Sequence, residues 1–173
     1  NNNGGTGRDI TMYYEMFPKN AFEKILWLES DRMGFFINSI TPRLLAIQQN
    51  VVQNEKRQSV DNSPYGFTQE VIYKYLYPEG HPYSWDVIGD MTDLKNANLD
   101  DVRNFYSNFY GPNNATLVIA GDFAPDSVKR LIDKYFGEIK GHGEVAPRSA
   151  MPVTLTETKK LYHEDNFANV PEI

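Results

Sequence analysis

The sequence predicts an α+β fold, with helices packed on one face of a mainly antiparallel sheet. Two observations predict it. Helices cluster between few strands, in the order strand, three helices, loop, helix, strand, helix, strand. The 173 residues, 40% hydrophobic and 13% aromatic, suffice for one domain that buries a core without disulfide staples. Eleven Tyr and ten Phe suit half-buried sheet faces or a surface meant for other polypeptide.

Ile10 to Phe17 alternates and is rich in aromatics, so it reads as a strand that Pro18 ends. Asn20 followed by Glu23 is a cap signal for a helix carrying Phe22, Ile25, Leu26 and Met33 at helical spacing. Thr41-Pro42 starts a second helix, to about Ser59. Ser63-Pro64 repeats that device before Tyr65 to Tyr77. Pro78 to Asp90 holds two Pro and two Gly and reads as a loop. Leu99, Val102, Tyr106 and Phe109 share one helical face, with Asn98 as its cap and Gly111-Pro112 as its stop. Ala115 to Ala120 is a continuous apolar run, read as a buried central strand. Pro125 opens a helix with Val128, Leu131, Ile132 and Tyr135 inward, ended by Gly137. Ile139 to Pro152 is a polar connection. Leu155 to His163 alternates as a further strand, and another is expected at Ile173.

The net charge of −6 lacks the basic footprint of a nucleic-acid binder. No apolar run approaches a membrane span. Without Cys there is no disulfide and no thiolate metal site. Asn1 to Gly7 has neither the basic nor the apolar region of a signal peptide, and the chain does not open with Met. It therefore reads as an excised fragment whose start lies upstream, the alternative being a mature processed protein.

Several routes to chemistry close quickly. His81, His142 and His163 are the only histidines, and none forms H-E-x-x-H or H-x-x-E-H. Gly4-Gly5-Thr6-Gly7 reads as a flexible glycine cluster with no strand before it or helix after it, which makes a poor phosphate cradle. Ser84, His81 and Asp86 lie close in sequence, but triads are set by spatial geometry. The sequon at Asn114 leads into the expected buried strand. Glu55 differs. Leu44, Gln48, Val51 and Glu55 step by four, three and four residues along one face of the second helix. A carboxylate ending an inward-leaning stripe either needs a cation or strong donors nearby, or sits at the rim and pairs with Lys56, Arg57 or a distant Arg.

Three phrases occur in fixed order: Val51-Val52-Gln53-Asn54-Glu55-Lys56-Arg57-Gln58, then Tyr77-Pro78-Glu79-Gly80-His81-Pro82-Tyr83-Ser84-Trp85, then Gly111-Pro112-Asn113-Asn114 leading into Ala115 to Asp122. Together they resemble the N-terminal half of the pitrilysin/insulinase-type zinc peptidases. That family binds zinc through H-x-x-E-H and one later glutamate, the inverted zincin pattern. The resemblance places Glu55 at that later ligand. It places the His pair about seventy-five residues upstream, before residue 1. It also sets Asn3 and Gly4 in a short strand that receives extended substrate by strand addition, and His81 in a loop that the imidazole holds.

The resemblance thus implies a single truncated N-terminal-type peptidase domain over residues 1–173, resembling one half-domain of a clamshell. The parent would be a metalloendopeptidase that hydrolyses peptides or unfolded polypeptide with zinc-activated water. Glu55 is the implied metal ligand, Asn3 and Gly4 the implied substrate contacts, and no catalytic residue falls within the chain. The isolated chain is expected to be inactive and to bind no zinc, with Glu55 more exposed than in the whole enzyme. Implied partners are the substrate and a C-terminal half-domain or paired subunit, with no nucleic acid and no membrane span. The bacterial periplasm or cell envelope is the expected location. The alternative is a non-catalytic partner subunit or peptide-binding scaffold of the same fold.

Overall fold

The computed structural model describes residues 1–147, 149 and 151–171. Strand β1 spans Asn2–Thr6 and β2 spans Thr11–Glu15. They form a two-stranded sheet. The backbone bonds Gly7 N to Ile10 O and Met16 N to Asn1 O fix an antiparallel register that sets Gly4 opposite Tyr13. Gly4 suits that place, because a Cβ there would come within 3.0 Å of the Tyr13 ring. Gly4, Gly5 and Thr6 of the glycine cluster therefore lie in a strand, as the family resemblance implies, and not in the flexible segment their composition suggests.

Six α-helices follow among the described residues: α1 Phe22–Gly34, α2 Pro42–Lys56, α3 Thr68–Leu76, α4 Met91–Asn96, α5 Leu99–Phe109 and α6 Pro125–Phe136. The chain divides into two compact units. The first is Asn1–Gly5, Met12–Leu45 and Asn98–Pro147; the second is Thr6–Thr11, Ala46–Ala97 and Arg148–Ile173.

In the first unit α1 packs against α6. Glu23 accepts from Lys134 Nζ at 2.8 Å and from the Tyr135 hydroxyl at 2.7 Å. Phe22 stacks between Phe17 and Phe123. α5 carries a full capping box, with Asn98 accepting from Asp101 N–H and Asp101 accepting from Asn98 N–H. Its expected inward face delivers Tyr106, whose buried hydroxyl meets the Arg32 and Met33 carbonyls at 2.9 and 2.5 Å. Those carbonyls belong to the last turn of α1, where helical partners run out.

In the second unit α2 passes into a π-turn, Arg57–Asp61. Tyr65 then adopts φ 59°, a left-handed conformation rare for a side chain of its size. Asp165 holds it by accepting Tyr65 N–H at 2.8 Å. Gly66 lies so close to the Val60 carbonyl that no Cβ could fit. This strained corner delays α3 until Thr68, and Ser63 does not cap it. The Thr41 cap is present, its hydroxyl accepting from Leu44 N–H at 3.3 Å. The Asn20 cap is not, because residues 19–21 form a separate 3-10 turn.

Three further expectations need correction. Ala115 to Ala120 and Leu155 to His163 are not strands. Among the described residues no neighbouring strand takes their backbone groups, and Val118 is 80% exposed. Nor does α2 bury the Leu44/Gln48/Val51 stripe: Leu44 and Val51 are exposed. The buried face is Gln53, Lys56 and Val60, with Gln49 half-buried above them. Gln49 Nε2 donates to the Leu94 and Ala97 carbonyls at 3.0 and 2.7 Å, satisfying the end of α4. The strand expected at Ile173 lies outside the described residues.

Candidate functional site

Glu55 sits in the last turn of α2, exposed on the stripe shared with Leu44, Ile47 and Val51. The π-turn begins two residues later, and Ser59 Oγ donates to the Glu55 carbonyl at 2.8 Å. Such turns recur at functional sites, where they re-aim a helix end. The cations nearest in sequence do not pair with it. Arg57 donates to Asn54 Oδ1 at 2.8 Å, and Lys56 turns to the buried face, with Glu70 Oε2 at 3.9 Å. Among the described residues Glu55 joins no ion pair. Pairing with its neighbours thus does not account for it.

Asn3 and Gly4 lie on β1, whose outer edge is unpaired among the described residues. Asn3 Oδ1 accepts the Gly4 N–H at 2.8 Å. Asn3 also lines an open cleft of about 410 Å³ with Tyr13, Glu15, Glu29, Arg32 and Phe36. There the Arg32 guanidinium lies 3.6 Å above the Tyr13 ring and bonds to Glu29. Burial, and then its contact with Glu29, raise the Glu15 carboxyl above its ordinary range. Sequence reading missed this polar group because its members are scattered over a strand and a helix.

His81 is buried and both ring nitrogens are engaged. Nδ1 accepts from Tyr83 N–H at 3.0 Å, which places the proton on Nε2, donating to the Met151 carbonyl at 3.2 Å. The ring stacks on Tyr77 at 4.6 Å. The imidazole therefore ties down its loop and has no lone pair left for a metal.

The zinc implied by the resemblance can be tested against these donors. A catalytic zinc takes three protein ligands and keeps one open position. Among the described residues no three His, Cys, Asp or Glu come together as a metal site. Glu55 has no two such partners grouped with it, so the described residues by themselves do not fit a catalytic zinc. No helix among the described residues is long and apolar enough to cross a membrane.

The chain thus combines an antiparallel hairpin, six helices and an exposed carboxylate at the end of α2 among its described residues. Residues 96–170 match the family described as Peptidase M16 inactive domain. The chain is 35% identical over 144 residues to the zinc protease PqqE of Helicobacter pylori, covering 83% of this chain and 32% of that protein. It is 24% identical over 188 residues to the mitochondrial-processing peptidase subunit beta of Caenorhabditis elegans, covering 96% and 39%. The crystal structure of a protease from Helicobacter pylori superposes with a TM-score of 0.80 at 32% identity, covering 88% of this chain and 36% of that one. The chain belongs to the pitrilysin/insulinase-type zinc peptidase family. It spans about a third of the length of these two relatives.

Proposed function

We propose that this chain is part of a zinc metalloendopeptidase that cleaves peptides or unfolded polypeptide, and that Glu55 contributes one carboxylate ligand to its metal. The observation that carries this reading is Glu55 itself: exposed, free of any ion pair among the described residues, and placed at the end of an uncovered apolar stripe. A carboxylate there is poised for a group brought by another segment. Leu44, Ile47 and Val51, each about half exposed, give such a segment an apolar seat. The unpaired β1 edge at Asn3 and Gly4 is the proposed seat of extended substrate. A second half-domain or paired subunit would cover further apolar surface. The periplasm or cell envelope of a bacterium is the proposed location.

A second reading has one observation in its favour. The matched family profile over residues 96–170 is that of an inactive domain. A non-catalytic subunit or scaffold of the same fold would also leave Glu55 without metal.

The experiment begins with the chain alone. Purified protein is expected to carry no stoichiometric zinc by elemental analysis and to show no chelator-sensitive peptide hydrolysis. Hydrolysis that stops with a chelator and returns with zinc would contradict the single-ligand assignment.

A further inference from the structure

A second cleft, of about 550 Å³, lies within the second unit between the end of α2, α3 and the loop from Tyr77 to Asp90. Lys56 lines it, with its side chain only 9% exposed. The nearest carboxylate oxygen, Glu70 Oε2, is 3.9 Å away, beyond hydrogen-bond distance. No hydrogen bond joins the Lys56 ammonium to any described residue. An ammonium has three N–H donors, and one carboxylate at that distance leaves at least two of them open to the cleft. Lys56 can therefore take an acceptor that enters the cleft.

The rest of the lining points the other way. It holds four carboxylates against two ammonium groups, Lys56 included. Trp85 presents a ring 52% exposed, beside the half-buried Asp86 and the exposed Glu79. That wall suits a cation, which gains from the aromatic face and the carboxylates together. A simple anion would be repelled by the net charge, and a simple cation by Lys56. One ligand class meets both demands: a carboxylate with a cation a few bonds away.

We propose that this cleft binds the free carboxyl end of peptides that terminate in lysine or arginine. The terminal carboxylate accepts from Lys56, and the basic side chain lies against Trp85 and pairs with Asp86. This is a peptide-end site that holds no metal, and it stands or falls independently of the role of Glu55.

The test uses the whole chain. Tryptophan occurs only at Trp27 and Trp85, so Trp27→Phe leaves Trp85 as the sole reporter. Three peptides are titrated by fluorescence and by calorimetry: acetyl-Ala-Gly-Ala-Lys with a free carboxylate, its C-terminal amide, and the norleucine acid. The lysine acid is expected to bind at least about tenfold tighter than either of the others, the effect of one lost charged hydrogen bond or ion pair in a shielded site. In Lys56→Met the acid and amide should bind alike, and Asp86→Asn should erase the preference for lysine over norleucine. Equal binding by the amide or by the norleucine acid overturns the proposal, as does the absence of saturable binding into the millimolar range. If Lys56→Met fails to fold, the peptide comparison on Trp27→Phe decides.

Discussion

Removing His81 should loosen one loop and leave the rest of the fold in place. The ring is 7% exposed. His81→Ala strands the Tyr83 N–H and the Met151 carbonyl, and each lost hydrogen bond costs about 1 kcal/mol. It also ends the stacking on Tyr77, at about 0.5–1.5 kcal/mol. With the vacated ring volume, the loss should be about 3–5 kcal/mol. His81→Phe separates the terms, because it keeps an aromatic ring on Tyr77 and strips both hydrogen bonds. Urea denaturation should show a lowered midpoint at unchanged slope for both variants, with Phe intermediate. Amide hydrogen exchange should rise first between Pro78 and Asp90. A loss under about 0.5 kcal/mol for His81→Ala, or no change in that loop's exchange, would refute the claim that the imidazole holds it.

Two further predictions concern turns. Gly66→Ala drives a Cβ into the Val60 carbonyl, whose carbon would lie at 2.8 Å, and these are backbone atoms that cannot swing aside. It should destabilise the chain by about 3 kcal/mol, read as a fall in the denaturation midpoint. Asp90 caps α4 by accepting from Thr92 N–H at 2.6 Å, and these backbone bonds hold its carboxyl below the ordinary value of 3.8. A carboxyl depressed in the folded state contributes stability that is present above its unfolded value and lost as the pH falls through the folded one. Asp90→Asn should therefore flatten the acid side of the stability profile below about pH 4, and an unchanged profile would count against the cap.

The features that were legible in the sequence are those set by local chemistry. Asn98 and Asp101 spell a capping box in four residues, and the box forms. Thr41-Pro42 starts α2 where expected. The apolar spacing of α5 identifies Tyr106 as an inward residue. Other features depended on groups distant in sequence. Ala115 to Ala120 has the composition of a buried strand, but a ladder needs a neighbour, and composition cannot say whether one is there. The inward face of α2 was misread because amphipathic reading counts apolar side chains. Here Gln49 and Gln53 turn inward, and Gln49 serves the end of α4. Spacing alone held the signal, since Gln49, Gln53, Lys56 and Val60 step by four, three and four. The left-handed Tyr65 was not legible, because its conformation is imposed by Asp165, one hundred residues away.

The candidate site divides along the same line. Glu55 emerged from helical phase and from the resemblance of its phrase, and the structure leaves it exposed and unpaired among the described residues. The Glu15, Glu29 and Arg32 group and the Lys56 cleft had no sequence signal, since each needs folding to bring its members together.

The central claim is tested most directly by Glu55→Gln in the longest natural form of the protein, with zinc content and peptide turnover measured on the same preparation. Glutamine keeps the size and removes the charge. Zinc occupancy and turnover are predicted to fall together, by about ten- to a hundredfold or more, while the denaturation midpoint stays within about 0.5 kcal/mol of the parent. A variant that keeps full zinc and near-normal turnover would contradict the assignment of Glu55 as a metal ligand.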